Sequence, residues 1–449
     1  MSFLSLSFIT LLIVLLITYW IIPSKYRNIL LLAASWGYLS TWSWRYLLFL
    51  LSAIIVSYIA GIMIDVAGTN KKKIAILSIS MVVLIGTLAI VKYTDVFMAV
   101  IGISFFTFQA VSYVIDVYRK DIEIEKNFIV YALYVSFFPQ LVSGPITKAK
   151  DQMSRYKKDR IFDLIVVEKS LVVAIYGCFL KMVVADRIGI FVDSVYANVN
   201  ETGRMSIILA VLLYSVQIYC DFAGYSLMAI GIGRSFGIEL PVNFKQPYLA
   251  KNIGDFWKRW HITLTSWFRD YLYFPLGGNR RGQLRTYINI IIVFVISGIW
   301  HGSGITFVAW GLLHGIFQVI ERAFIKTKKS YRVLTYMFVS WLWIFFRADS
   351  ISQALNIMRS IIINSNGMEL SGIFSHGLNI DNWILLVIAM AVMIVIDITM
   401  FRGGNVVDKI FEIKLPIRWI ILYVLIFGII VFGVYGPGYD ATRFIYDKF

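Results

Sequence analysis

The chain has 449 residues, of which 59% are hydrophobic and 15% charged, and its mean hydropathy is +0.76. This composition excludes a water-soluble globular fold. The formal net charge of +16 would suggest nucleic-acid binding in a soluble protein. In a membrane protein, basic residues collect in cytoplasmic loops and near anionic headgroups, so we expect a lipid bilayer and no nucleic acid as the partner. Cys178 and Cys220 lie in apolar segments, which argues against a disulfide framework.

Apolar segments that are long enough, or nearly long enough, to cross a bilayer recur along the whole chain. A hydrocarbon core of ~30 Å needs roughly 20 apolar residues in a helix, and no alternating segments typical of a strand barrel occur. The candidate spans are residues 3–22, 29–41, 46–65, 74–92, 95–115, 128–144, 164–184, 206–232, 287–304, 305–325, 331–346, 383–400 and 417–436. The sequence therefore predicts an all-α polytopic membrane protein with some re-entrant or interfacial helices. No repeat or linker divides it, so we predict one membrane domain, residues 1–449.

Lysine and arginine residues in the short loops predict the orientation. The first apolar run, residues 3–22, follows no basic residue and precedes no cleavage site, so we interpret it as a span and not as a signal peptide. Lys25 and Arg27 place its end in the cytoplasm, as do the six basic and two acidic residues of segment 148–160. The tail, residues 437–449, has two of each sign. We therefore expect the N-terminus and this tail outside the cytoplasm.

A basic, tryptophan-rich segment follows at residues 251–285, with seven basic and two acidic residues. Along one continuous helix, an arc of about 120° would hold most of its rings. These residues are Trp257, Trp260, His261, Leu264, Trp267, Phe268 and Tyr271. Two interpretations stay open: an interfacial helix with its cations on lipid phosphates, or a docking site for a phosphate-rich cytosolic donor. The candidate donor-binding residues are Lys258, Arg259, Arg269 and Arg280.

His301 is the strongest candidate for chemistry among the four histidines. It lies in an almost uncharged run, where an ionisable side chain is costly and faces a cavity or a partner. Structural hydrogen bonding and function are both open, and Gly298, Gly302 and Gly304 favour function because they should leave space around the imidazole. His314 would not share its helix face, so we expect it to be structural. A neutral imidazole can take the proton of a hydroxyl that attacks an acyl carbon.

Metal chemistry is not expected from this sequence. Zinc sites favour closely spaced ligands, and no H-x-x-x-H or H-E-x-x-H pattern occurs, so a site formed by His261, His301 and Asp221 is disfavoured. For Asp221, in YCDFAGYS, we expect pairing with a basic neighbour or a hydrogen bond to a histidine. The sequence also lacks a Gly-x-Ser-x-Gly elbow and a P-loop.

Several segments resemble the membrane-bound O-acyltransferase (MBOAT) family. They are GISFFTFQAVSYVIDVYR (102–119), FFPQLVSGPI (137–146), YCDFAGYSLMAIGIGRSFGIELPVNF (219–244), DFWKRWHITLTSWFRDYLYFPLGGNR (255–280) and GIWHG (298–302). PLGGNR and the later WLWIFFRAD (341–349) are similar to the bacterial branch of alginate O-acetylation proteins. The resemblance implies a ring of roughly 11–13 tilted, spanning and re-entrant helices around a central funnel.

The resemblance also implies roles for single residues. His301 matches the invariant histidine of the family at the catalytic centre, and His261 matches a second histidine at the cytoplasmic approach. Both lie in a catalytic segment, residues 255–302. Acetyl-CoA would be the acyl donor and would enter from the cytoplasm of a bacterial cell, with no metal, and the product would leave on the other side of the cytoplasmic membrane.

The chain ends on FIYDKF, which fits a terminal Phe-x-Tyr-x-x-Phe motif similar to one found in this bacterial branch or in its small partner proteins. This resemblance implies that Tyr446 is an acyl relay. With help from His301, its hydroxyl would attack the acetyl thioester and pass the acetyl group to the serine of a separate extracytoplasmic acetyltransferase. That partner would esterify a polysaccharide such as an alginate-like exopolysaccharide, cellulose or peptidoglycan. The alternative is an aromatic anchor at the membrane interface.

Three other functions stay open. Relatives that transfer D-alanine to teichoic acid share the WH and WHG motifs but usually lack PLGGNR. A transporter or flippase without chemistry predicts inverted repeats, which we do not find. A scaffold that recruits a soluble transferase would tolerate the loss of His301, which an enzyme would not.

Overall fold

A computed structural model describes residues 2–94, 96, 100–324, 330–363 and 370–435, and the secondary structure within these ranges is helical, without strands. The first helices are α1 Leu6–Ile21, α2 Ser24–Ser40, α3 Trp44–Val66, α4 Asn70–Tyr93, α5 Ile103–Arg119, α6 Phe128–Ser136, α7 Phe138–Leu141, α8 Ala149–Lys157, α9 Leu164–Phe179 and α10 Asp186–Ala197. The next are α11 Arg204–Ser235, α12 Ile253–Trp257, α13 Ile262–Phe268, α14 Gln283–His301, α15 Ile305–Phe324, α16 Arg332–Arg347, α17 Ile351–Ile363, α18 Ile380–Phe401, α19 Val406–Glu412 and α20 Leu415–Phe432. Two π-helical segments, Leu180–Ala185 and Arg269–Tyr273, continue α9 and α13.

Six of the described helices are long and apolar enough to cross a membrane: α3, α4, α11, α14, α18 and α20. Their surroundings differ. In the most apolar 18-residue stretch of α11, 83% of the residues are buried within the protein, whereas 0% are buried in the corresponding stretch of α20. Helix α11 therefore belongs to a protein core, whereas α20 lies at the surface of the described protein. The chain is an all-α, multi-pass membrane protein, as the sequence predicts; the ring around a funnel stays a prediction.

The described residues form two compact units. The first contains residues up to 174 together with 226–242, and the second contains residues 175–225 and those from 243 onward. Helices α9 and α11 each contribute residues to both units. Whether residues 1–449 act as one membrane domain stays a prediction.

In the first unit, the predicted span 128–144 is wrong as a continuous helix. Helix α6 ends at Ser136, Phe137 has a non-helical backbone with ψ of 112°, and the four-residue α7 then begins at Phe138. The backbone N–H of Phe138 donates to the Ser35 hydroxyl at 3.1 Å, and Pro139 has no N–H to donate. A side chain of α2 therefore satisfies the broken helix end.

The core of the second unit is a cluster of tryptophans from the turn before α13 and from α15 and α16. Trp260, Trp310 and Trp343 are all less than 2% exposed. The ring of Trp343 lies 5.1 Å from that of Trp260 and 5.5 Å from that of Trp310, within the range of favourable aromatic packing. This cluster fixes the turn before α13 against α15 and α16, and the candidate site is built on it.

Helices α14 and α15 form a tight hairpin that requires glycine. A Cβ atom at Gly298 would lie 2.3 Å from the backbone oxygen of Phe307, and one at Gly311 would lie 2.3 Å from that of Phe294. A Cβ atom at Gly302 would meet the Phe307 ring at 2.2 Å. The prediction that Gly298 and Gly302 leave space around the imidazole is therefore wrong. They let the α15 backbone approach α14 closely, and Phe307 fills the space.

Candidate active site

His301 is the last residue of α14 and is 3% exposed. Three aromatic rings surround its imidazole. The ring of Trp300 lies 4.8 Å away, that of Trp310 lies 5.2 Å away at 89°, and that of Phe346 lies 5.3 Å away. Edge-to-face contacts of this kind hold the imidazole in one orientation and exclude water from its faces.

The position of His301 at a helix C-terminus has an electrostatic consequence. The carbonyl groups of the last turn carry a partial negative charge, which favours a cation at this end of the helix. If His301 took up a proton, this field would act favourably on the positive charge of the ring. The arrangement suits a general base.

His261 lies at a break between helices, and the prediction of one continuous amphipathic helix across it is wrong. Helix α12 ends at Trp257 and α13 begins at Ile262, while His261 has a left-handed backbone with φ of 42°. The backbone N–H of Ile262 donates to the Asn243 oxygen at 2.9 Å, and that of Lys245 donates to the Arg259 oxygen at 2.9 Å. These bonds to the segment before α12 replace helical bonds, and the strained conformation is kept in a buried place.

The imidazole of His261 is held by a buried asparagine. Its Nδ1 lies 3.0 Å from Asn243 Oδ1, which also accepts the hydroxyl proton of Thr263 at 2.9 Å. The ring stands edge-on to Phe222 at 4.7 Å. Burial lowers the pKa of His261 to about 3, so its imidazole is neutral at physiological pH.

The structure brings His261 and His301 to the same indole. The Trp300 ring lies 6.4 Å from the His261 ring and 4.8 Å from the His301 ring. Sequence reasoning named both histidines but not Trp300, although it lies in the quoted GIWHG. Its position next to His301 was the available signal. The contact makes the two imidazoles neighbours in one aromatic enclosure.

Two of the candidate donor-binding cations are engaged within the protein. Arg259 donates to the Asp255 carboxylate at 3.0 Å and lies over the Phe401 ring at 5.1 Å. Arg269 donates to the carboxylate of its neighbour Asp270 at 3.0 Å. The Asp255 contact ties Arg259 to α12, so this guanidinium has a structural role whatever else it binds.

Lys258 and Arg280 are exposed, and the described residues form no ion pair with either. Arg280 follows a turn in which Gly277 and Gly278 have positive φ. The side chain of Asn289 in α14 donates to the Gly278 oxygen at 3.0 Å, which fixes this turn. The turn therefore presents Arg280 from a rigid base.

Glu321 of α15 anchors the start of α12. Its carboxylate oxygens accept the backbone N–H groups of Ile253 at 2.7 Å and Gly254 at 3.0 Å. An acidic group suits the positive end of a helix. This bond joins the tryptophan-rich segment to the α14–α15 hairpin.

Asp221 pairs with a basic neighbour, as the sequence predicts. The Lys181 ammonium lies 2.6 Å from the Asp221 carboxylate and 2.6 Å from that of Asp186. Asp221 and Lys181 are 1% and 3% exposed. Sequence reasoning did not name Lys181, because the two residues lie on different helices. The described residues include no group of three or more His, Cys, Asp or Glu side chains that could hold a metal ion.

The other predicted residues are placed as follows. His314 Nδ1 accepts the indole N–H of Trp257 at 3.3 Å, a structural hydrogen bond of the kind expected for it. Tyr446 lies outside the described residues. The described chain ends soon after α20, where the Val434 N–H donates to the Met182 oxygen at 3.1 Å.

The described chain is a multi-pass helical membrane protein with two buried histidines against one indole. The sequence profile of the membrane-bound O-acyltransferase family matches residues 38–363. The chain belongs to this family and is an O-acyltransferase.

Curated relatives cover most of the chain. A peptidoglycan O-acetyltransferase of Helicobacter pylori is 34% identical over 76% of this chain and 74% of its own length. A probable alginate O-acetylase of Pseudomonas aeruginosa is 34% identical over 75% of this chain and 70% of its own. A teichoic acid D-alanyltransferase of Bacillus subtilis is 28% identical over 52% of this chain and 62% of its own.

Proposed function

We propose that this chain moves an acetyl group from cytoplasmic acetyl-CoA across a bacterial cytoplasmic membrane, through Tyr446, for the O-acetylation of an extracytoplasmic polysaccharide. One observation carries the proposal: His301 is enclosed by Trp300, Trp310 and Phe346 at a helix C-terminus, next to a second histidine on the same indole. This arrangement provides one oriented base in a dry enclosure, which is what acyl transfer to a hydroxyl requires.

The first step forms a phenyl ester. The Tyr446 oxygen attacks the acetyl carbonyl carbon while His301 takes the phenolic proton. The carbon–sulfur bond breaks as the tetrahedral intermediate collapses, and the coenzyme A thiolate leaves and takes the proton from His301. The products are O-acetyl-Tyr446 and free coenzyme A, and the base is restored.

The second step passes the acetyl group to a partner. The serine hydroxyl of an extracytoplasmic acetyltransferase attacks the acetyl-tyrosine, the carbon–phenol oxygen bond breaks, and the tyrosine recovers its proton. A phenolate is a better leaving group than an alkoxide, so this transfer runs downhill. The partner then esterifies a glycan hydroxyl, which in this class of acceptor means an exopolysaccharide, cellulose or peptidoglycan.

The donor phosphates would meet cations on the cytoplasmic side. Lys258 and Arg280 are the best placed, because both are exposed and the second stands on a fixed turn. Arg269 is 56% exposed, so it can add to the attraction, and Arg259 contributes charge while it holds Asp255. The basic loops support a cytoplasmic face at which the N-terminus and the tail do not lie, so in this proposal both are outside.

Acetyl transfer is favoured over D-alanyl transfer by the relatives. The two O-acetyl transfer proteins share 34% identity over about three quarters of the chain, whereas the D-alanyltransferase shares 28% over 52%. If an unlabelled D-alanyl donor lowered the incorporation of labelled acetyl groups, D-alanyl transfer would be supported instead.

The test is mass spectrometry of the C-terminal peptide after isotope-labelled acetyl-CoA is supplied to membranes. We expect labelled acetyl on Tyr446 in the wild type and none in His301→Ala or Tyr446→Phe. His376→Ala is the matched histidine control, since this half-buried ring lies in the loop before α18 and contacts Ser194 of α10. Tyr423→Phe, on the exposed side of α20, is the tyrosine control.

Each outcome decides a part of the mechanism. Label that persists in His301→Ala would show that another base activates the tyrosine. Glycan acetylation that continues in Tyr446→Phe, without label on the wild-type peptide, would make the tail an anchor. Acetylation that continues in both His301→Ala and Tyr446→Phe would contradict the proposed mechanism as a whole.

A further inference from the structure

Asn243 is a buried asparagine whose side-chain oxygen is the meeting point of three groups. It is 1% exposed. Its Oδ1 lies 3.0 Å from His261 Nδ1, 2.9 Å from the Thr263 hydroxyl and 3.4 Å from the Thr263 backbone nitrogen. Its backbone oxygen also accepts the Ile262 N–H at 2.9 Å. Asn243 therefore holds both the start of α13 and the ring in front of it.

These contacts determine which end of the Asn243 amide faces the histidine. A backbone N–H can only donate, so the atom that meets the Thr263 nitrogen must be the amide oxygen and not the amide nitrogen. An amide oxygen can only accept. The His261 Nδ1 atom that faces it must therefore carry a proton.

A neutral imidazole carries one proton on its two nitrogens. Because Nδ1 of His261 holds that proton, its Nε2 holds the lone pair. Three uncharged rings also lie near this imidazole: Phe222 at 4.7 Å, Phe244 at 6.4 Å and Trp300 at 6.4 Å. The left-handed backbone at His261 adds to the constraint, since few residues adopt it without support.

We propose that Asn243 is a positioning residue that fixes His261 as the Nδ1–H tautomer, so that Nε2 acts as a hydrogen-bond acceptor during acyl transfer. The bland alternative is that Asn243 only caps α13. The catalytic consequence rests on the proposed function, but the tautomer does not. One measurement therefore tests the tautomer, and a separate one tests its catalytic consequence.

The first measurement is nitrogen-15 NMR of the full-length protein in detergent or nanodiscs after ring labelling of histidine. The chain contains 4 histidines, so four imidazoles are observed, and the signal missing in His261→Ala identifies the one of interest. We expect a protonated Nδ1 and an unprotonated Nε2 for His261. In Asn243→Leu we expect a mixture of tautomers, and in Asn243→Asp the Nδ1–H form is kept, because the carboxylate still accepts.

Asn289→Leu is the matched control. Asn289 is also a fully buried asparagine, and its side chain donates to the Leu276 and Gly278 oxygens instead of contacting a histidine. The Asn289→Leu variant should lower the amount of folded protein without altering the NMR signals of His261. A protonated Nε2 in the wild type, or an unchanged tautomer in Asn243→Leu, would overturn the proposal.

The second measurement is steady-state acetyl transfer per folded molecule. We expect Asn243→Leu to lower kcat about tenfold or more with KM for the donor little changed, and Asn243→Asp to restore most of it. A helix cap alone would lower the folded amount and leave kcat per folded molecule unchanged, which would contradict the positioning role. If no variant or wild type transfers acetyl groups, the proposed function fails while the tautomer result stands.

Discussion

The two histidines of the site are held in opposite ways. His301 ends a regular helix and is fixed by rings, with Trp310 and Phe346 packed edge-on against it. His261 interrupts a helix and is fixed by a hydrogen bond to Asn243. Ring packing sets the orientation of an imidazole but does not itself choose which nitrogen carries the proton, whereas a hydrogen bond to an amide oxygen does. The difference suits a proton-transferring base at position 301 and an acceptor of constant form at position 261.

The largest expected effect concerns His301, the histidine that is held by aromatic rings. His301→Ala should lower the acetyl-transfer rate by about 10²–10⁴-fold, because it removes the proposed general base. The measurement is labelled acetyl incorporated into glycan per folded enzyme. His376→Ala should keep the wild-type rate. A comparable loss in both variants would show that the assay reports folding and not base catalysis.

The next effect tests how rigidly the hairpin holds His301. Gly298→Ala places a Cβ atom 2.3 Å from the Phe307 backbone oxygen, so α14 and α15 must separate. A displacement of about 1 Å at a reacting group can cost on the order of 10²-fold in rate. Gly428→Ala, with nothing within 4 Å of the added atom, is the control. Equal rates in the two variants would mean that the hairpin does not position the base.

A smaller loss of acetyl-transfer rate is expected for His261, the histidine that is held by a hydrogen bond. His261→Ala should lower kcat by about tenfold, less than His301→Ala, because an acceptor orients a group without carrying its proton. Single-turnover transfer from acetyl-CoA would measure it. If His261→Ala were the more severe variant, the assignment of roles to the two histidines would be reversed.

The smallest effect concerns donor attraction. Lys258→Ala and Arg280→Ala should each raise KM for acetyl-CoA a few-fold and leave kcat unchanged, since exposed charges are screened by solvent and salt. The effect should shrink as the salt concentration rises. Lys409→Ala, another exposed basic residue, should leave KM unchanged. Identical KM values in all three variants would place the donor site elsewhere.

Sequence reasoning identified the features that depend on the local pattern of residues. Apolar length predicted the helical membrane class, and His301 stood out because a polar ring in an uncharged run needs an explanation. It failed where distant segments decide the conformation. The break at His261 depends on backbone bonds from Asn243 and Lys245, and the glycines of α14 serve a contact with α15. Neither partner can be identified from periodicity within one helix.

The ion cluster of Lys181, Asp186 and Asp221 has a consequence for how the chain enters the bilayer. Asp221 lies within the apolar stretch of α11, where an isolated carboxylate would oppose insertion. Its counter-ion, Lys181, lies 2.6 Å away and is translated earlier. Pairing with Lys181 lowers the cost of placing this carboxylate in the bilayer, so we expect the segment that carries Lys181 and α11 to insert as a pair. In a Lys181→Met chain we expect a smaller fraction of α11 to be inserted.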